Sequence, residues 1–307
     1  MSLKNTLVKT LMRTFMKKKS EDEMLKLIET SGVVVEYDEN GLRKTNFEIP
    51  DELTFLQRFY KGIRIEEMYY SSKLKRPNEQ KVVLMFHGGG YLGKINDIYT
   101  EWMCRLCKAS KDYLVISVEY TTSQKGTFPA AYNDALASWE FLMNEGFLPE
   151  NVVIMGDSAG GGLALALTMY LRDNNVNVKA YMGLSPWVNL NCTSECFTNP
   201  QKKKMDPLFG SSNVLDTMAK MYVGDNDIND WRISPLFGSF ENLPKMYITY
   251  GDCEILRDDI QALYDKASKE NDVTLKVYKG CQHDIQTGGT KEAKKSWNDI
   301  EEFFSKL

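Results

Sequence analysis

The sequence predicts an α/β protein: a mainly parallel sheet with helices on both faces and a helical cap over one end. Two observations predict it. From Lys81 onward, short runs rich in β-branched residues alternate with longer stretches of helical spacing. Such alternation calls for parallel strands, because each helix carries the chain back across a face of the sheet before the next strand begins. The strand runs are also apolar almost throughout, as expected of strands covered on both sides. With 307 residues, the chain has the length to bury one large core.

Residues 1 to about 50 open with helical spacing but do not join the alternation. "GIRIEEMYY" at 62–70 alternates loosely and predicts an antiparallel strand at the leading edge of the sheet. "KVVLMF", "YLVISVEY", "VVIM", "VKAYMGL", "KMYITY" and "VTLKVY" read as the buried strands. Between and after them, residues 97–110, 130–145, 159–172, 256–270 and 290–306 read as helices. The stretch 188–232 is rich in Asn, Lys, Asp and Cys, carries "NPQKKKMDP", and again breaks the alternation. The simplest arrangement is a single domain over residues 1–307, with about 1–50 and 188–232 lying over one end of the sheet as the cap. No internal repeat or low-complexity tract divides it.

A net charge of −4 gives no reason to expect a nucleic-acid partner. No apolar run is long enough to span a bilayer. The basic start "MSLKNTLVKTLMRTFMKKK" is broken by Lys4, Lys9, Arg13 and Lys17, so it lacks the continuous apolar stretch of a secretory signal. Six cysteines in a chain of this length suit a reducing compartment, and the expected location is the cytoplasm. Cys104 and Cys107 have Cys-x-x-Cys spacing, but they fall inside a helical pattern, and Cys192 with Cys196 makes a poor second pair for zinc. They read as small buried residues, and no metal site is expected.

Residues 153–162, "VIMGDSAGGG", set Ser158 between glycines, with a strand ending at Met155 and a helix beginning just past the serine. Gly156 and Gly160 leave room for a sharp turn that lifts the hydroxyl clear of the sheet. The helix start directs its N–H groups at the reacting oxygen. A serine hydroxyl needs a neighbouring base to become a nucleophile. The chain has two histidines, His87 and His283. On folds with this elbow the order is serine, acid, histidine, which selects His283, a few residues past the strand "VTLKVY".

"LMFHGGGYLGK" follows another strand and offers backbone N–H groups without side chains. Those of Gly89 and Gly90, with that of Ala159, can form an oxyanion hole for the charge that develops in acyl transfer. His87 then braces the loop. A phosphate-binding loop would need a Gly-Lys-Ser/Thr ending, which is missing. The acid stays open between Asp252 and Glu254 in "ITYGDCEILRDDIQ", since Asp258 and Asp259 fall within the next helix. Either carboxylate could hold the imidazole and stabilise its cation.

"HGGGY", "FPAAYNDALASWEFL", "GDSAGGGLA", "LSPWVNL", "SPLFG" and "ILRDD" occur in that order between about Val82 and His283. On these motifs the chain resembles the hormone-sensitive-lipase-like branch of the α/β-hydrolase fold, the bacterial family IV esterases. The resemblance implies a carboxylic-ester hydrolase acting on small to medium acyl esters through an acyl-serine intermediate, with no metal or organic cofactor. It implies that the acid stands four residues before Asp258, at Glu254, with Asp252 the alternative. It also implies a cap made by the N-terminal helices and the segment after "SPW". Two departures lie near the pocket. "TTSQKG" follows Tyr120 where the family often has Arg-Leu-Ala-Pro-Glu, and Asp284-Ile285 follows His283 where Gly-Phe is common. An amidase or deacetylase would use the same machinery. A non-catalytic small-molecule receptor would keep the pocket but typically lose the base.

The first stretch of helical spacing is both apolar and basic. Leu3, Leu7, Leu11 and Phe15, with Val8, Met12 and Met16, form one apolar face, and no acidic residue occurs among the first nineteen. A helix of this kind can lie on a membrane surface. The reading favoured here is that its apolar face packs over the site as part of the cap. A homodimer is compatible with the sequence, which does not fix the oligomeric state.

Overall fold

The computed structural model describes residues 3–30 and 35–307. Its strands are β1 (Leu53–Tyr60), β2 (Ile63–Tyr70), β3 (Lys81–Phe86), β4 (Tyr113–Glu119), β5 (Val152–Asp157), β6 (Ala180–Leu184), β7 (Lys245–Gly251) and β8 (Val273–Tyr278). They form one sheet in the order β1-β2-β4-β3-β5-β6-β7-β8. β2 pairs antiparallel with both β1 and β4, and the pairs from β4 to β8 are parallel. The sheet therefore has the predicted class, with one correction at its margin. β2 is not the edge strand, because β1 lies outside it. "LTFLQRFY" escapes a search for buried runs because it is a half-exposed edge strand. The turn Lys61-Gly62, with φ of 50° and 82°, closes a tight hairpin onto β2.

The helices are α1 (Leu3–Met16), α2 (Glu21–Thr30), α3 (Asp97–Ser110), α4 (Ala130–Asn144), α5 (Ser158–Asp173), α6 (Glu195–Thr198), α7 (Pro200–Lys203), α8 (Val214–Val223), α9 (Arg257–Ala267) and α10 (Lys291–Ser305). α4, α5 and α9 cover one face of the sheet, through residues such as Leu142, Leu163, Leu167, Ile260 and Leu263. α3 and α10 cover the other, through Trp102, Met103, Trp297 and Phe303. Cys104 and Cys107 are buried in that second layer beside Met68. Among the described residues, no helix is long and apolar enough to cross a membrane.

The order of strands places the site. The chain adds β4 on one side of β3 and β5 on the other, so the connections after β3 and β5 leave the sheet in opposite directions. That divergence opens a crevice at the carboxyl ends of these two strands. The glycine loop follows β3, and Ser158 follows β5.

α1, α2 and α6–α8 gather at this same end. Asn5 donates to Gly280 O, Lys9 reaches Cys253 Sγ, and Arg13 donates to Met205 O. α2 packs on α8, with Thr217 hydrogen-bonded to Glu21. The contacts of α1 differ from those expected. The helix packs through Asn5 and Met16, with Val8 and Met12 half-buried, while Leu7, Leu11 and Phe15 are 59%, 61% and 53% exposed. The side chain of Leu3 lies outside the described residues. Polar anchors at Asn5, Lys9 and Arg13 turn the helix toward one flank of its apolar face, and hydrophobic spacing alone gives no sign of that rotation.

Candidate active site

Ser158 is the first residue of α5 and has φ of 49°, a left-handed conformation that a serine rarely adopts. β5 runs on to Asp157, so the strand and helix meet at the serine with no spacer, two residues later than Met155. The glycines explain how the corner closes. A Cβ on Gly156 would stand 2.3 Å from the carbonyl carbon of Gly160, and one on Gly160 would stand 2.1 Å from Phe86 O. Only glycine fits either place. Asp157 is buried and ties the elbow to the neighbouring loop, accepting from Gly88 N at 2.9 Å and from Tyr99 Oη at 3.0 Å. Burial pushes its carboxyl up to about 6 despite these donors.

Gly89 and Gly90 have φ of 96° and 61°. Their N–H groups have no acceptor among the described residues, whereas Gly88 N is engaged by Asp157 and Tyr99. Ala159 N lies in the uncapped first turn of α5, because Asp157 makes no side-chain bond to it. Free donors on a left-handed loop beside a helix start are suited to receiving an anion. Met218 of α8 closes over Gly90, where an added Cβ would meet its sulfur at 2.5 Å. His87 is fully buried, with its ring stacked on Tyr120 at 4.1 Å and Nδ1 2.8 Å from Gly88 O. Burial lowers its pKa to about 4, so it is neutral and structural.

Glu254 and His283 come together. Glu254 is fully buried in the loop after β7, and its Oε1 stands 3.4 Å from His283 Nδ1. Its Oε2 accepts from Ser185 Oγ at 2.7 Å and Gly251 N at 2.9 Å. Asp252 points elsewhere, accepting from Gly280 N. Phe209, between α7 and α8, meets the His283 ring edge-on at 5.5 Å. Asp206 accepts from the N–H groups of Ile255, Leu208 and Phe209, which fastens that segment to the loop of Glu254. A cleft of about 270 Å³ opens beside Phe209 and Ile255.

His283 Nε2 has an unexpected neighbour. It stands 3.2 Å from Asp284 Oδ2, and Ser158 Oγ has no hydrogen-bond partner among the described residues. Burial disfavours charge on the imidazole, but Asp284, Glu254 and Asp206 outweigh it and push the pKa up to about 10. Asp157, Ser185, Asp206 and Asp284 join the site without being expected there from the sequence. Asp157 and Ser185 lie inside the motifs "GDSAGG" and "LSPW", so a signal was present for them. None was visible for Asp206, which lies in the segment that breaks the alternation.

Comparison with known proteins agrees with this architecture. Residues 83–287 match the family described as the alpha/beta hydrolase fold. An esterase of Acinetobacter venetianus is 30% identical over 253 residues, covering 80% of each chain. An acetyl-hydrolase of Streptomyces hygroscopicus is 32% identical over 63% of this chain and 64% of its own length. The crystal structure of an esterase from the bacterial hormone-sensitive lipase family superposes with a TM-score of 0.81 at 26% identity, covering 100% of this chain and 98% of that one. The chain belongs to the α/β-hydrolase family, in its hormone-sensitive-lipase-like branch of esterases.

Proposed function

We propose that the chain hydrolyses carboxylic esters of small to medium acyl groups through an acyl-serine intermediate, with Ser158 as nucleophile, His283 as base and Glu254 as the acid. The observation that carries this reading is the buried Glu254–His283 pair on loops beside a left-handed Ser158 at the crevice. His283 Nε2 takes the serine proton as Oγ attacks the ester carbonyl, and Glu254 stabilises the imidazolium at Nδ1. The N–H groups of Gly89, Gly90 and Ala159 receive the oxyanion, where each such donor is typically worth about 3–4 kcal/mol. The imidazolium then protonates the leaving alcohol. A water activated in the same way releases the acid, so no cofactor takes part.

The acyl-group range draws support from the acetyl-hydrolase relative. About 1–50 and 188–232 serve as the cap, since both reach the loops that carry Glu254 and His283. Six free thiols fit a reducing cytoplasm. The test is Ser158→Ala on a panel of p-nitrophenyl esters. Turnover should fall roughly 10³-fold or more, and an organophosphonate should label wild type at Ser158 alone. Wild-type turnover in the alanine variant would overturn the mechanism.

A further inference from the structure

Four carboxyl groups surround His283, and three of them are satisfied by other donors. Glu254 holds Ser185 Oγ and Gly251 N, Asp157 holds Gly88 N and Tyr99 Oη, and Asp206 holds three backbone N–H groups. Asp284 differs. Among the described residues, its Oδ1 is buried without a partner, and its Oδ2 meets only the imidazole, at Nε2. The contact is held by the backbone. Asp284 has φ of 49° and ψ of 55°, and its carbonyl accepts from both Thr287 N at 3.0 Å and Thr287 Oγ1 at 2.7 Å. A left-handed non-glycine residue survives only where its surroundings fix it. Here it turns the carboxyl back onto the preceding histidine.

Nε2 is the atom that must accept the serine proton in the proposed mechanism, and this inference rests on that reading. We propose that Asp284 is a positioning residue that ion-pairs with Nε2 of His283 at rest and yields the nitrogen to Ser158 only once the imidazolium proton has left. With that proton in place both imidazole nitrogens carry hydrogen, Nδ1 bonded to Glu254 and Nε2 ion-paired with Asp284 at 3.2 Å, so His283 has no lone pair for Ser158 Oγ. When the proton passes to solvent, the Nε2 lone pair and the Asp284 carboxylate repel, and Ser158 O–H becomes the better partner. Burial pushes the Asp284 carboxyl well up against the pull of His283, and Asp157 and Glu254 add to it, so the pair binds its proton tightly. Asp206, Asp157 and Glu254 face the imidazole as well, while Tyr99 donates to Asp157 and lies near Asp284. All four carboxyls favour the protonated histidine, and among the described residues Asp284 is the one that stands against the reacting nitrogen, at 3.2 Å.

The experiment is the pH dependence of kcat/KM for p-nitrophenyl acetate, read at the isosbestic wavelength, in wild type, Asp284→Asn and Asp284→Gly. Asparagine and glycine both tolerate the left-handed backbone. The acid limb should move to lower pH by about 1–3 units in both variants, the usual effect of removing an adjacent opposite charge, while the plateau does not rise. An unmoved limb, with or without a uniform loss of rate, overturns the proposal. Nitrogen NMR of wild type gives a second reading, because the chain has two histidines. His283 should stay protonated above the ordinary histidine range, and titration within that range also overturns it. Ser158→Ala separates the two readings: if it is inactive while the limb stays fixed, the role of Asp284 fails and the serine mechanism stands.

Discussion

Replacing Glu254 by Gln removes one charge and almost no volume, and the structure gives the consequence. Oε2 accepts from Ser185 Oγ and Gly251 N. In the amide, only the oxygen can take that place, so the NH2 group turns toward His283 Nδ1. The histidine must then accept at Nδ1 and carry its proton on Nε2, the wrong tautomer for a base acting on Ser158. The charge loss adds to this. At 3.4 Å and an effective dielectric constant of about 20, a carboxylate–imidazolium pair is worth on the order of 5 kcal/mol, or three to four powers of ten in rate. We expect Glu254→Gln to lower kcat roughly 10³-fold or more with KM little changed, measured on p-nitrophenyl acetate at the wild-type pH optimum. Asp252→Asn should cost less than about tenfold, because Asp252 serves Gly280 N instead. A more damaging Asp252 change would reassign the acid. A Glu254→Gln enzyme keeping a tenth of its rate would refute the tautomer argument.

Two further outcomes concern the cap and the fold's margin. Deleting residues 1–19 removes the contacts of Asn5 and Lys9 with the loops of His283 and Glu254. It should raise KM for short esters and shift acyl-chain preference, whereas a membrane anchor would leave soluble kinetics unchanged and abolish binding to anionic vesicles. Arg43→Ala should destabilise the protein by about 1–3 kcal/mol in denaturant titrations, since the buried Glu66 loses its two 2.8 Å bonds to Arg43 and, among the described residues, keeps only Arg64 Nε, at 3.5 Å. An unchanged midpoint would show that this ion pair contributes nothing.

The sheet from β3 to β7 was legible because parallel strands buried on both faces leave uninterrupted apolar runs; β8 is instead a half-exposed edge strand, with Val277 42% exposed, and was legible from its Val, Thr and Tyr content. β1 was not, because an edge strand needs apolar residues on one face only and "LTFLQRFY" shows no clean period. Ser158 and the glycines around it stood out by their places in motifs and His283 as the histidine that follows the serine, whereas the residues alone left Glu254 open against Asp252 and only the family resemblance preferred it. The turn of Asp284 onto His283 was not visible. Neighbours in sequence face apart in an ordinary strand or helix, and only the left-handed backbone at residue 284 reverses this. The rotation of α1 was hidden for a related reason: its apolar arc is wider than the surface it covers, and polar contacts decide which half is used.

The fastening of Asp206 to Ile255 N bears on what heat does to this protein. One carboxylate spans two parts of the chain, collecting N–H groups from the segment before α8 and from the residue next to Glu254. Loosening that short segment frees Phe209 from the imidazole and releases a backbone restraint on the Glu254 loop, while the central strands stay packed. The order of events on warming should therefore be loss of turnover first and loss of helical signal several degrees later. Inactivation in that interval should reverse on cooling, since nothing in the core has yet come apart.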